Sequence, residues 1–166
     1  MLSEMLLPEF DQEMASTRKT IERVPDDKLD WQPHGKSMPM RGLITHLANM
    51  PTWVGHTLGK DALDLAPQGV PMRAAPVGST REAVETFDRN VAEARATIAN
   101  ADDAAFGGTW SLLQNGQTLF TLPKLAVLRT FVMNHIIHHR AQLGVYLRLN
   151  DVPVPSVYGP SADESM

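Results

Sequence analysis

Asn134-His135-Ile136-Ile137-His138-His139-Arg140-Ala141-Gln142-Leu143 sits inside a helical pattern that Pro123 opens and Asn150-Asp151-Val152-Pro153 closes. Leu125, Leu128, Val132, His135, His139, Leu143 and Tyr146 recur at the three- and four-residue spacing of one helix face. His135 and His139 occupy the middle of that apolar stripe. Four helical steps of about 100° bring a side chain back to within about 40° of its starting direction, so both rings leave one face, one turn apart. An imidazole turned into a core needs hydrogen bonds or a metal to offset its burial. This stretch therefore predicts a core-facing helix and poses the question of what the two rings hold.

Working outward, three further helical patterns appear. Leu6, Phe10, Met14, Thr17 and Ile21 mark a first helix over about residues 6–24, with Pro8 in its first turn and Pro25 after its end. Ser37 is a candidate N-cap for a second, about 39–58, with Leu43, His46, Leu47, Met50, Trp53 and Val54 inward. Pro51 should kink or split it, and Gly59 should stop it. Ser79-Thr80-Arg81-Glu82 reads as a capping box for a third helix ending near Asn100, with Ala83, Val84, Phe87, Val91, Ala94 and Ile98 inward. Residues 61–78 hold Pro67, Gly69, Pro71, Pro76 and Gly78 and read as a long surface connection between helices two and three. Asn115-Gly116, between two short apolar runs of 110–121, predicts a small β-hairpin before the last helix. Val154-Pro155-Ser156-Val157-Tyr158-Gly159-Pro160 reads as an extended tail across the bundle end. The expected fold is all-α, a four-helix bundle of residues 1–166 as a single domain with one hairpin insert.

His46 is the third inward histidine, on a second helix. Together His46, His135 and His139 make a candidate three-nitrogen site for one divalent metal. Neutral imidazoles suit Zn or Ni best, with Fe, Co or Mn as alternatives, and do not suit Ca or Mg. Three protein ligands leave a position open for water or substrate, the mark of a catalytic site. His138 lies about 60° around the helix, beside the ligand set or facing a partner chain. His34 and His56 fall outside it. Ile136 stands where a zincin-type protease carries its glutamate base, so proteolysis of that kind is disfavoured. Met50 and Trp53, beyond His46, are candidates for the substrate pocket, with core packing as the competing role. Gln142 is a candidate for orienting a ligand.

Composition narrows the function. The 166 residues carry 15 basic and 19 acidic side chains, a net charge of −4. The basic residues gather into no run that could neutralise phosphates, so neither nucleic acid nor an anionic membrane surface is an expected partner. There is no cysteine, which excludes disulfides, thiolate ligands and a cysteine nucleophile. The first ten residues lack a basic n-region and no apolar run reaches the roughly 18 residues of a membrane span; a cytoplasmic location is expected.

Three passages resemble the DinB/YfiT-like superfamily of metal-binding four-helix bundles. They are Trp31-Gln32-Pro33 leading to Leu43-Ile44-Thr45-His46-Leu47, the run Asn134 to Leu143, and Val154 to Tyr158 with Asp163-Glu164. Ala141 replaces a glycine common among relatives. The resemblance implies a left-handed bundle, a homodimer, and a His triad mapping onto His46, His135 and His139. It also implies thiol-dependent S-transferase chemistry with a low-molecular-weight thiol, or metal-dependent hydrolysis, on a small-molecule substrate. The alternatives are a non-enzymatic metal-binding or dimerisation module and an empty, degenerate site.

Overall fold

The structure is a computed structural model and describes residues 1–165. Helix α1 spans Leu2–Glu22, α2 Met40–Asn49 and α3 Trp53–Gly59, with a 3₁₀ turn Met50–Thr52 between the last two. Helix α4 spans Thr80–Asn100 and the short α5 Asp103–Gly107. The last helical body is α6 (Lys124–Val127), a π-helical segment (Leu128–Met133) and α7 (Asn134–Leu149), end to end. Helices α1 and α2 each pack on both α4 and α7, so four helical bodies close around one core. Phe10, Leu43, Leu47, Phe87, Ile98, Ile136 and Leu143 fill it, each at most 1% exposed. Burial on this scale, worth about 1.5–3 kcal/mol per large apolar side chain, is what orders helices of modest propensity.

The helix boundaries follow local chemistry. Ser79 caps α4 by accepting from the Glu82 amide at 3.1 Å, while the Glu82 carboxylate takes the Gly78 amide at 2.7 Å. Pro51 splits the second helix into α2 and α3, because it has no amide proton for the helical ladder. Three expectations are corrected. Helix α1 starts at Leu2, whose amide donates to Asp103 at 2.7 Å, so Pro8 lies in the second turn and not the first. Ser37 does not cap α2; its amide closes a turn onto His34, and Pro39 is the N-cap. The last helix begins at Lys124, since Pro123 is still paired in the hairpin.

The fold is mostly helical rather than all-α, because the hairpin belongs to a three-stranded sheet. Strand β2 (Thr109–Gln114) pairs antiparallel with β3 (Gln117–Pro123) through Asn115-Gly116, whose φ values of 50° and 77° make a twist-compatible two-residue turn. Strand β1 (Ala62–Asp64) pairs parallel with β2, Leu63 against Leu112. The connection after α3 is thus partly built into the sheet. Asp64 fixes it there: its carboxylate accepts from the amides of Ala66, Asn115 and Gly116 at 2.9, 2.9 and 2.7 Å. These bonds hold the Asp64 carboxyl below the usual carboxylate range. Trp110, fully buried with Leu63, Leu112 and Val127, forms a second small core, and its indole N–H donates to the His56 carbonyl. Among the described residues no helix is long and apolar enough to cross a membrane.

Candidate metal centre

Helices α2 and α7 pack against each other, and their histidines meet at the seam. His46 Nε2 lies 3.4 Å from His135 Nε2, which lies 2.8 Å from His139 Nε2. The His139 ring stands edge-on to His46, with centroids 4.6 Å apart. Ligand atoms of all three fall within 4.8 Å of one another, and all three residues are half-buried. The core residues on either side of His46, Leu43 and Leu47, pin α2 against the bundle and fix that ring at the core's edge.

The outer nitrogen of His139 fixes the state of its inner one. Gln142 Oε1 lies 2.7 Å from His139 Nδ1, and the amide carbonyl can only accept, so Nδ1 carries the proton and Nε2 is a bare lone pair. The Phe131 carbonyl, in the π-helical segment, lies close enough to the His135 ring to raise its pKa, and that ring's Nε2 faces inward. The bare Nε2 of His139 can accept a hydrogen from His135 Nε2, 2.8 Å away, or bind a cation. An extra proton on the cluster is opposed. Burial lowers the pKa of all three rings, and their neighbours' charges lower those of His46 and His135 further. His46 is pushed down to about 4, by burial first and then by His139 and His135.

The residues therefore fit a divalent transition metal. Metal–nitrogen bonds of about 2.0–2.1 Å put neighbouring ligand nitrogens about 2.9 Å apart in octahedral and about 3.4 Å in tetrahedral geometry. The two separations that His135 makes, 3.4 and 2.8 Å, lie near those two limits, and the His46 and His139 ligand atoms lie within 4.8 Å of each other. Among the described residues no carboxylate joins the cluster. His138 is exposed on the far side of α7 from the core, its ring 4.9 Å from that of His139.

The fold as a whole places the chain among known proteins. A family model, the DinB family, matches residues 1–166. The chain belongs to the DinB family. A DinB-like protein from Bacillus subtilis superimposes with a TM-score of 0.70 at 15% identity, over 92% of this chain and 96% of that one. One from Bacillus cereus gives 0.66 at 18% identity, over 93% and 97%. At such identities the likeness shows the DinB-like fold alone. No curated protein matches.

Beside the triad the surface opens. A cavity of about 390 Å³ is lined by Met38, Gly42, Thr45, His46, Met72 and Arg73. A second, of about 380 Å³, is lined by Asn49, Trp53, His56, Leu63 and the same Met72 and Arg73. Trp53 thus faces a cavity that shares a wall with that of His46, whereas Met50, 1% exposed, belongs to the main core. An apolar cavity of about 420 Å³ under the C-terminal tail, lined by Ile137, Gly144, Val154 and Tyr158, contains none of the triad. Sequence reasoning missed Arg73 and Met72. They lie in the Pro-rich connection, where no periodicity marks which side chain turns inward.

Proposed function

We propose that this DinB-family protein is a metal-dependent enzyme acting on a small molecule. One observation carries the reading. Three imidazole nitrogens converge, one ring with its outer nitrogen already engaged by Gln142, and no fourth protein ligand joins them among the described residues. Such a set leaves coordination positions to a ligand from outside, as catalytic zinc sites do. The adjoining cavities on the His46 side give that ligand room. A staple between helices would need neither.

When bound, the metal supplies Lewis acidity, lowering the pKa of a coordinated thiol or water. The protein's part is positional. Gln142 holds the His139 ring in the ligating tautomer, and the cavities on the His46 side flank the place such a ligand would take. Among the described residues no carboxylate stands in the cluster to take a proton from water. That favours a substrate that ionises on coordination, a low-molecular-weight thiol used for S-transfer, over hydrolysis. We further propose zinc or nickel as the metal, a left-handed bundle acting as one domain, a homodimeric state and a cytoplasmic location.

The test is a comparison of wild type with His46→Ala, purified without nickel resin. Wild type should hold about one equivalent of metal, and the variant should lose it while keeping its helical circular dichroism. Metal-loaded wild type should then conjugate a thiol to monochlorobimane faster than the variant does. Unchanged metal content in the variant removes the triad; turnover of esters with no thiol present replaces S-transfer by hydrolysis.

A further inference from the structure

Arg73 is exposed to solvent at the wall of both cavities beside the triad, and no side chain among the described residues pairs with its guanidinium. Among the described residues every other arginine makes an ion pair or a side-chain hydrogen bond. Arg73 makes neither. The segment Met72–Ala74 forms the shared wall, with His46 across one cavity and Trp53 across the other. It is held in place locally: the Met72 amide donates to the Leu65 carbonyl at 2.8 Å, beyond β1, and the Val77 amide to Thr45 Oγ1 at 3.1 Å, one residue before His46.

The electrostatics point one way. The chain has 19 acidic residues against 15 basic. Yet no Asp or Glu lines either cavity. His56, which lines the second, is kept neutral by burial and by Lys60, both of which lower its pKa. The three metal ligands are neutral, so a bound divalent ion would keep its full charge. A cavity with positive groups at two points and no counter-charge attracts an anion. The guanidinium fork matches a carboxylate or phosphate with two parallel hydrogen bonds. Most of the remaining lining is apolar, led by Met38, Leu63, Leu65, Met72 and Trp53, with Thr45, Asn49 and Thr52 as its neutral polar members, which suits an apolar body with a few polar contacts.

We propose that Arg73 is a substrate-recognition residue and that the substrate is a small molecule with an apolar body and an anionic group, a carboxylate or a phosphate, which Arg73 binds while the remainder lies toward His46. This deepens the reading of the triad as an enzyme site and rests on it for the word substrate; the anion site itself is a property of Arg73 and the cavity walls.

The experiment is isothermal titration calorimetry with benzoate, phenyl phosphate and the neutral benzamide. The proteins are wild type, Arg73→Gln, Arg73→Lys and Arg81→Gln, each zinc-loaded and zinc-free. Arg81 lies on α4, away from both cavities, and controls for net charge. Wild type should bind at least one anion and prefer it to benzamide. Arg73→Gln should weaken that binding about tenfold, the loss of one charge-assisted contact. Arg73→Lys should fall between, and Arg81→Gln should match wild type. Zinc content should be the same in all four. The tighter anion identifies the carboxylate or phosphate class. The proposal is overturned if benzamide binds as well as both anions, if no anion binds wild type at millimolar concentrations, or if Arg73→Gln matches either wild type or Arg81→Gln. If zinc is not taken up, the metal reading fails by itself, and wild type against Arg73→Gln in the zinc-free protein still decides the anion site.

Discussion

Gln142 shows how much a candidate metal site depends on atoms outside its ligand set. It is exposed, on the turn after His139, and its only visible role is the 2.7 Å bond to Nδ1 of that ring. Removing such a partner typically costs 10- to 100-fold in metal affinity, roughly, because the ring can then rotate or change tautomer. Gln142→Ala should weaken zinc binding by about that factor with an unchanged melting temperature for the metal-free protein; competition with a chromophoric chelator measures it. The triad also sets a pH dependence. His46 falls from an ordinary value of 6.5 to about 4 in the metal-free fold. Between those values the unfolded chain binds a proton that the folded chain refuses, so stability rises with pH. The metal-free protein should be fully stable above about 6.5 and lose stability progressively toward about 4. Urea midpoints across that window check this, and His46→Ala should flatten the slope. The triad was legible in the sequence because two of its members sit on a periodic stripe. Arg73 was not, because a proline-rich connection has no period to read.

At the scale of elements, legibility followed the range of the interactions that form them. Helix α4 announces itself through Ser79 and Glu82, the hairpin through Asn115-Gly116, and the break in the second helix through Pro51. All are decided within a few residues. The start of α1 depends on Asp103, a hundred residues away, and the third strand on pairing between residues 62–64 and 111–113. No window of local sequence contains that information. The π-helical segment Leu128–Met133 is a similar case, since it accompanies packing of Phe131 on Phe120 and of Val132 in the core, contacts no local window contains. The sheet matters for function because it anchors the wall that carries Arg73. Trp110 is its keystone, fully buried and bonded to the backbone of α3. Trp110→Ala should cost about 3–5 kcal/mol of stability by cavity formation. Chemical denaturation measures that cost, and zinc binding at the α2–α7 seam should persist below the new midpoint.

At the scale of the whole molecule, the C-terminal tail is tied to α1 and α7 and to Arg23 after α1. Tyr158 donates to both Glu13 oxygens at 2.9 and 2.8 Å and accepts from Arg140 at 2.7 Å. Arg140 pairs with Glu13 at 2.7 Å, and both are over nine-tenths buried. Arg140 is one residue past His139, so the tail and the triad are fastened to the same turn of α7. Further along, Arg148 binds Asp163 and Arg23 binds Glu164. Asp163 is held below the carboxylate range chiefly by Arg148 and then by the Val154 amide, and Glu164 chiefly by the Ser156 amide and then by Arg23. Depressed carboxyl pKa values contribute stability that is present above the unfolded-state values and lost as pH falls through the folded ones. Both ion pairs lie at the surface, with the Asp163 and Glu164 side chains 25% and 33% exposed, so they bear on docking of the tail more than on the bundle. Acidification through the lower carboxylate range should therefore release residues 151–164 before the helices unfold. Amide hydrogen exchange read by mass spectrometry should show protection lost first in that segment. Asp163→Asn should move the release to higher pH, because an amide cannot hold Arg148 by charge. If the tail and α7 instead lose protection together, the buried Glu13–Arg140–Tyr158 cluster couples them, and the tail is an integral part of the helix that carries His135 and His139.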